Sequence, residues 1–553
     1  MRQNTRPETN TYSPSLAETY LFDAGSIFAG FAEKGKSGTD NKKKSASAKV
    51  IKVYLFFMLG IFPLFVSNFY FDINIAKYLY FVVITVIFFI IFICVRIKES
   101  GAIKAFDIFT RPSITDIGML AFILTAIISS CCSEYSTRTL TGEMGRQNGL
   151  YTLIAYFMAY MMISRSFGFD RIVMRWFAIS AGVVYFVGFL NCLGIEIFGF
   201  YRGLNALDES RFVSTIGNIN FFSTFICLTL PLFSGSFMLA EKRFEKALFL
   251  SASVLGFLAA VASNSESVFL GLFTVFMGEL IYAGRIKCGL KKSLLTTALM
   301  ILTIKAGLTL KGAVQGTKIT GLCKIVYKAD WLYIVGAALA VIYLLSILVQ
   351  KKSDILKPQA AKYIAIMAAA VILVFAVSMA VISNSADSEN RSKTYALSKY
   401  FYISDKWGTN RGYAYRKSFE IMQNASVKNI LIGSGPDTFG GEYRKVYDIS
   451  NDPKKYLDNA HNEYLQYLIT LGFIGLAAYM TFIAGSTIRL QKATKLCIYG
   501  FPLLLGIAGY LLQALVNVNQ PGTNAFLFIL IAMGERLART VVTLSYHKPK
   551  LIS

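Results

Sequence analysis

The sequence predicts an all-α protein, a polytopic bundle of about 12–14 transmembrane helices with one large extracytoplasmic loop. Composition is the first observation behind this: hydrophobic residues make up 55% of the 553-residue chain and charged residues only 16%. With a mean hydropathy of +0.51, the chain is too apolar to keep a globular surface wet. The second is that runs of roughly 16 to 24 mostly apolar residues recur along most of its length. At about 1.5 Å per residue each can cross a hydrocarbon core of about 30 Å. Uninterrupted runs of that length do not fit the short alternating strands of an outer-membrane barrel, so the spans are helices. The third is that Lys and Arg gather in alternate connections.

In chain order, about fourteen spans are expected near 51–69, 74–95, 114–132, 149–164, 173–198, 219–240, 247–263, 268–284, 293–310, 331–349, 363–384, 462–484, 497–517 and 523–538. Residues 1–50 are polar and Lys-rich and lack the short apolar core of a signal peptide, so they are expected to form a disordered basic cytoplasmic arm. Residues 51–384 then make the first part of the bundle, 385–461 the large loop, 462–538 the rest of the bundle and 539–553 a cytoplasmic tail.

The basic clusters around Lys42, Arg96, Arg165, Lys242, Arg285, Lys351, Arg489 and Arg536 all fall on one side if both termini are cytoplasmic. The net charge of +24 is thereby spread over many short loops as an orientation signal. No nucleic-acid-binding module accompanies it, so nucleic acid is not an expected partner. Most of the cysteines, such as Cys94, Cys192, Cys227 and Cys497, lie in or beside spans as small apolar groups, and Cys131 and Cys132 form no CxxC pattern. With only two histidines in the chain, a clustered zinc site is not expected either, and no metal or other cofactor is called for.

The long loop breaks the rhythm of short connections, and a long loop on a multi-span protein is usually functional. Tyr415, Phe419 and Met422, spaced four and three apart, predict one face of a helix lying across the mouth of the bundle. An apolar run from Ile430 follows and ends in a glycine turn. Tyr400, Tyr402, Trp407, Tyr413 and Tyr443 offer flat apolar faces to a sugar, or anchors to the membrane interface. GSGPDTFGG lacks the third glycine and the strand-turn-helix setting of a dinucleotide fingerprint. Asn390 and Asn424 stand in acceptor sequences that matter only in a secretory pathway. Glu279 and Lys305 fall within spans and are expected as intramembrane partners.

His461, where the loop meets a span, is the single candidate for histidine chemistry, because His547 lies in the basic tail. An imidazole there either caps the following helix or serves as a general base near neutral pH. Three arginines on the same expected side favour the second reading. Arg146 and Arg211 stand just before spans, and Arg411 lies in the loop. None is needed for orientation, and guanidinium groups at one mouth suit a phosphate-bearing ligand.

At these residues the chain resembles the bacterial O-antigen ligase and O-antigen polymerase superfamily. HNEYLQYLITLGFIG, from His461 to Gly475, is similar to the family's His-Asn motif at the head of a descending helix. GRQNGLYTLIAY resembles its early Arg and Gly-Leu. RFVSTIGNINFF, with Arg211, Gly217, Asn218 and Asn220, resembles its Arg, Gly and Asn motif. NRGYAYRKSFEIMQNASVKNILIGSGPDTF resembles its large-loop pattern. Together the motifs reach from about residue 115 to 535. One departure is Glu266 in Ser263-Asn-Ser-Glu-Ser267, where the family often has an arginine; residues 311–330 match no family pattern.

The resemblance implies a GT-C-like, metal-independent, inverting glycosyltransferase of the bacterial cytoplasmic membrane. Its donor would be an undecaprenyl-diphosphate-linked glycan and its acceptor another glycan, a lipid or a wall polymer. His461, Arg411 and Arg211 would carry the chemistry. Arg146, Asn218, Asn220, Tyr415, Gly433, Gly435, Asn462 and Tyr464 would bind substrate. Polymerase and ligase differ only in acceptor and remain equal alternatives here. The rival class is a flippase of lipid-linked oligosaccharide, against which stands the absence of paired halves with broken helices. A signalling receptor is also compatible with the composition.

Overall fold

The computed structural model describes residues 45–101, 112–205, 209–314, 319–348, 404–447 and 456–547. Expectations for the basic arm before residue 45, the span near 363–384, Tyr400, Tyr402 and Asn390 lie outside them. Every other expected span is a helix. In order these are α1 (Ala46–Leu55, prolonged by a π turn at Phe56–Ile61 and a 3-10 turn at Phe62–Leu64), α2 (Ile73–Ser100) and α3 (Ile114–Cys131). A short α4 (Ser136–Thr141) precedes α5 (Leu150–Ser166), α6 (Arg171–Cys192), α7 (Ile219–Leu239), α8 (Arg243–Ser263), α9 (Val268–Ala283) and α10 (Gly289–Ala313). Then come α11 (Gly321–Lys328), α12 (Trp331–Leu348), three loop helices α13 (Trp407–Gln423), α14 (Val427–Ile432) and α15 (Phe439–Val446), and finally α16 (Glu463–Leu496), α17 (Phe501–Gln513) and α18 (Pro521–His547).

Among the described residues eight helices are long and apolar enough to cross a membrane, or nine if α11 and the helix after it, bent by 73°, count as one broken span. The chain is an integral membrane protein of all-α architecture. Fewer helices qualify than apolar runs were counted, because α9 and the stretch leading into α17 are short apolar helices. In α18, Glu535, Arg536 and Arg539 interrupt the apolar pattern.

Local chemistry fixes several helix starts. Ser113 and Asp116 form a reciprocal capping box at α3, with Asp116 N–H donating to Ser113 Oγ at 3.3 Å and Ser113 N–H to Asp116 Oδ2 at 2.6 Å. The Asp170 carboxylate accepts from Ile172 N–H at 3.0 Å to begin α6. Helix α7 is buried along almost its whole length and forms the centre of the bundle with α18. α16 lies along α3, α17 along α7, and α18 along α5. Tyr156 of α5 stacks on Phe528 of α18 with ring centroids 4.2 Å apart. Near the C-terminal half of α16, charges are buried in pairs. Arg489 donates to Glu535 at 2.9 and 3.0 Å, and Arg165 to Asp116 at 3.0 Å. Glu279 accepts from Ser234, and Lys305 binds Asp330 at 2.8 Å. These two span residues therefore have partners but do not pair with each other.

One break positions the site. α16 is interrupted at Gly472, whose φ of 68° and ψ of −173° are not helical. The freed carbonyls are taken by the loop: Ile469 O accepts from Ser434 N–H at 3.3 Å and Thr470 O from Gly435 N–H at 2.9 Å. The backbones approach so closely that a Cβ on Gly433 would lie 2.2 Å from the Thr470 carbonyl, and Gly433 itself has φ 77°. Gly433→Ala should therefore cost roughly 2–4 kcal/mol in strain and overlap. A lowered thermal midpoint of the purified protein, well beyond that of Ser434→Ala, is the measurement that checks it.

Candidate functional site

The five residues Asp458 to Asn462 each hold the chain in place while one side chain is left over. Asp458 accepts a bidentate pair from Arg146, Nε and Nη2 each at 3.0 Å. Asn459 Oδ1 accepts the backbone N–H of His461 at 2.8 Å, closing a tight turn in which His461 takes the left-handed φ of 53°. Ala460 N–H donates to Gln466 Oε1 at 3.1 Å. Asn462 is the N-cap of α16, accepting from Tyr464 N–H at 2.9 Å and Leu465 N–H at 3.1 Å. The helix is thus capped by the residue after the histidine, and the imidazole is free of that duty.

The ring of His461 is half-buried, and its Nδ1 is fully buried without a hydrogen bond. That leaves Nε2 as the ring nitrogen outside the fully buried, unpartnered set. Burial lowers its pKa to about 4, aided by the positive charges of Arg146 and Arg411 and opposed by Asp458. At neutral pH it is an uncharged proton acceptor. Burial works against the Asp458 charge, but Arg146 keeps that carboxyl below its ordinary value.

Arg411 reaches the site from the start of α13, after three residues in left-handed geometry, Gly408, Thr409 and Asn410. Its Nη1 donates to Gly408 O at 2.9 Å and its Nη2 to Asn220 Oδ1 at 3.3 Å, while Nε is buried without a partner. Among the described residues no carboxylate forms an ion pair with it; Glu266 acts on it only at longer range. Arg146, by contrast, is neutralised by Asp458 and lies over the Phe221 ring, 5.6 Å from its centroid. Arg411 is therefore the cation with capacity to spare.

The other expected site residues fall into place as follows. Arg211 is exposed at the rim of a two-stranded hairpin, β1 (Phe212–Val213) and β2 (Gly217–Asn218), paired Phe212 with Asn218. The charges that act on the His461 ring are those of Arg146, Arg411 and Asp458. The hairpin tip plugs into the bundle: Tyr70 OH donates to Ser214 O at 2.7 Å and Thr215 Oγ1 to Pro63 O at 2.8 Å. Asn218 caps α7, accepting from Asn220 N–H at 2.8 Å. Gly433 and Gly435 dock on the break in α16, and Tyr464 OH donates to Leu511 O at 3.0 Å. Tyr415 OH donates to Leu515 O at 2.7 Å, beside Arg411 and Asn462. Asn218, Asn462, Tyr464 and the two glycines thus have architectural duties, while Asn220 and Tyr415 lie against Arg411, with Asn462 beside Tyr415. The buried face of α13 runs through Arg411, Ala414, Ser418 and Ile421, and Phe419, expected on one face with Tyr415 and Met422, is 56% exposed.

Two acidic residues escaped the sequence reading. Asp437, held at φ 58°, accepts from Glu143 N–H at 2.9 Å and Asn148 N–H at 3.1 Å, gripping the turn that carries Arg146. Burial raises its carboxyl to about 7 against the pull of those N–H groups and of Arg146. Glu463, two residues after His461, is buried and accepts from Tyr479 at 2.7 Å, Tyr510 at 2.6 Å and Asn524 at 3.3 Å. A lone carboxylate inside an otherwise apolar or glycine-rich stretch was the available signal for both.

Fold and site together define an integral membrane protein with an imidazole, a spare guanidinium and a neutralised Arg–Asp pair gathered at the N-terminal end of α16. Residues 328–480 match the family model described as O-antigen ligase. The match covers the long loop and the His461 motif, a little over a quarter of the chain, and supports the resemblance of this stretch to the O-antigen ligase and polymerase superfamily. No curated protein matches the chain.

Proposed function

We propose that the protein is a glycosyltransferase at the outer face of the bacterial cytoplasmic membrane, its termini on the cytoplasmic side. It transfers a glycan from an undecaprenyl-diphosphate-type donor to the hydroxyl of a glycan, lipid or wall acceptor. The observation that carries this reading is the pairing of an uncharged, partly accessible imidazole at His461 with the buried, carboxylate-free guanidinium of Arg411. The acceptor oxygen attacks C1 of the donor sugar from the face opposite the diphosphate. The C1–O bond to phosphate breaks, the diphosphate leaves with the electron pair, and the hydroxyl proton passes to Nε2 of His461. Inversion at C1 follows from the direct displacement. Arg411 offers its unpartnered Nε–H and its charge to the departing diphosphate, in a site dry enough for a fixed cation to matter.

The neutralised Arg146–Asp458 pair is a positioning element in this scheme, fixing the turn that presents His461. Arg211, exposed at the rim of the hairpin, meets the donor before it enters in this scheme, and the charge stabilisation at the reacting centre falls to Arg411. The test is purified protein in liposomes with a polyprenyl-diphosphate-linked glycan and a candidate acceptor. Release of polyprenyl diphosphate with formation of the new glycosidic bond is the expected result. Passage of intact donor across the bilayer without bond formation overturns the reading in favour of a flippase.

A further inference from the structure

The connection from α17 to α18 reads QALVNVNQPGTN, and its polar side chains are uncharged carboxamides or a hydroxyl. Gln513, Asn517, Asn519, Gln520, Thr523 and Asn524 are all no more than 1% exposed. Thr523 Oγ1 donates to Gln520 O at 3.4 Å, and two of the carboxamides are used by the fold. Asn517 Nδ2 donates to Asn220 O at 2.9 Å, joining the connection to the partner of Arg411, and Asn524 meets Glu463 and Tyr510. On the His461 side, Glu463 N–H donates to Ala514 O at 2.9 Å. The connection is therefore strung between the two proposed catalytic groups.

The remaining carboxamides have buried atoms with no hydrogen bond: Gln513 Oε1, both polar atoms of Asn519 and both of Gln520. The Tyr467 hydroxyl lies within reach of the Asn519 and Asn148 side chains, though outside good hydrogen-bond geometry to either, and beside it in the sequence Gln466 Nε2 has no partner. Folded proteins pair more than about nine in ten buried polar groups, so such a concentration within one connection and the helix facing it calls for a missing partner. The neighbouring ammonium of Lys77 does not supply one, since it donates to the carbonyls of Phe62 and Phe65, each at 3.1 Å, and of Pro63 at 3.4 Å.

The orphaned set mixes acceptors (Gln513, Asn519 and Gln520 oxygens) with donors (Asn519, Gln520 and Gln466 nitrogens and the Tyr467 hydroxyl) and contains no charge. A phosphate would want donors alone, and a lipid chain would want neither. A neutral ring bearing several hydroxyls, each both donor and acceptor, matches it. We propose that Asn519, Gln520, Gln513, Gln466 and Tyr467 form a subsite for an uncharged pyranose unit of the substrate, beside His461; this rests on the glycan-transfer reading. The subsite is closed in this structure, and the non-helical stretch 514–520 is the part of its wall that must yield to admit a ring.

Asn519→Leu and Gln520→Met remove the orphaned atoms while keeping volume. A polar group waiting for a ligand lowers the stability of the empty protein, so each substitution should leave the thermal midpoint unchanged or raise it. In the liposome assay each should raise the apparent KM at least tenfold, with the acid limb of the pH profile unmoved. Glucose, galactose or N-acetylglucosamine should raise the wild-type midpoint above an osmotically matched betaine control, and the variants should lose that gain. A fall in midpoint on substitution, with Gln513→Met behaving alike, would show that the amides stabilise the fold through bound water and would overturn the proposal. So would sugar responses identical in wild type and variants, or a response to inorganic phosphate in place of sugar. If no sugar is transferred but the midpoints behave as expected, the glycan-transfer reading fails and the subsite survives.

Discussion

His461→Ala should lower the rate of polyprenyl diphosphate release by about 10²- to 10⁴-fold, the range a positioned general base supplies. The turn that presents the ring is held by Asn459, and the helix by Asn462, so removing the imidazole leaves both supports in place. The loss should therefore appear in kcat, with donor affinity and thermal midpoint little changed. Wild type should also show an unusual pH profile. The base must be uncharged, and burial with the charges of Arg146 and Arg411 puts its pKa at about 4. The rate should hold level from pH 8 to 5 and fall only as pH drops through about 4, where a solvent-exposed histidine would begin to fail near 6.5. Arg146→Met removes one of the two depressing charges and should move that limb upward. Stability follows the same sign. Between about 6.5 and 4 the unfolded chain takes a proton that the folded one refuses, so this group's contribution shrinks as pH falls through that window and is constant above it. A rate limb near 6.5 in wild type, or a variant within threefold of it, contradicts the assignment of His461 as base.

Much of the bundle was legible because a span announces itself by length and apolarity alone, and those are local properties. The break in α16 was not, since TLGFIG reads as unbroken apolar sequence; only the docked loop, supplying N–H groups to Ile469 and Thr470, makes a helix break at Gly472 tolerable. The same limit governs the site. His461 stood out by rarity and Arg411 by a motif, both visible in one stretch of chain. That Arg146 is neutralised could not be read, because its partner Asp458 lies 312 residues away. Asp437 and Glu463 were hidden for the same reason: a buried carboxylate is defined by what folds onto it. Motif residues such as Asn218, Gly433 and Asn462 have architectural duties that the sequence did not announce, because sequence patterns mark functional and architectural needs alike. A cap and a close backbone approach restrict residue type as strictly as a binding site does.

Arg411→Met should separate catalysis from stability. If its guanidinium neutralises charge on the leaving diphosphate, losing it costs about 3–4 kcal/mol of transition-state stabilisation, or roughly 10²- to 10³-fold in rate. Burial lowers the pKa of this arginine, which says that the surroundings resist its charge, and no carboxylate pairs with it among the described residues. Replacing it with an apolar side chain of similar length relieves that resistance, so the thermal midpoint should stay level or rise. Lysine should restore little of the rate. The fork spans Gly408 O at 2.9 Å and Asn220 Oδ1 at 3.3 Å with Nε still free, and a single ammonium cannot hold both anchors and present a third donor. Asp458→Ala is the counter-case: it strands the largely buried charge of Arg146 and should cost about 1–3 kcal/mol in stability, less than a fully buried pair would, because Asp458 is 34% exposed and water screens the loss. Two cations beside one imidazole thus give opposite outcomes, decided by whether the fold already supplies the anion or leaves it to the substrate. An Arg411→Met protein that unfolds early but keeps its rate per folded molecule would make Arg411 architectural and leave the leaving group without its counter-charge.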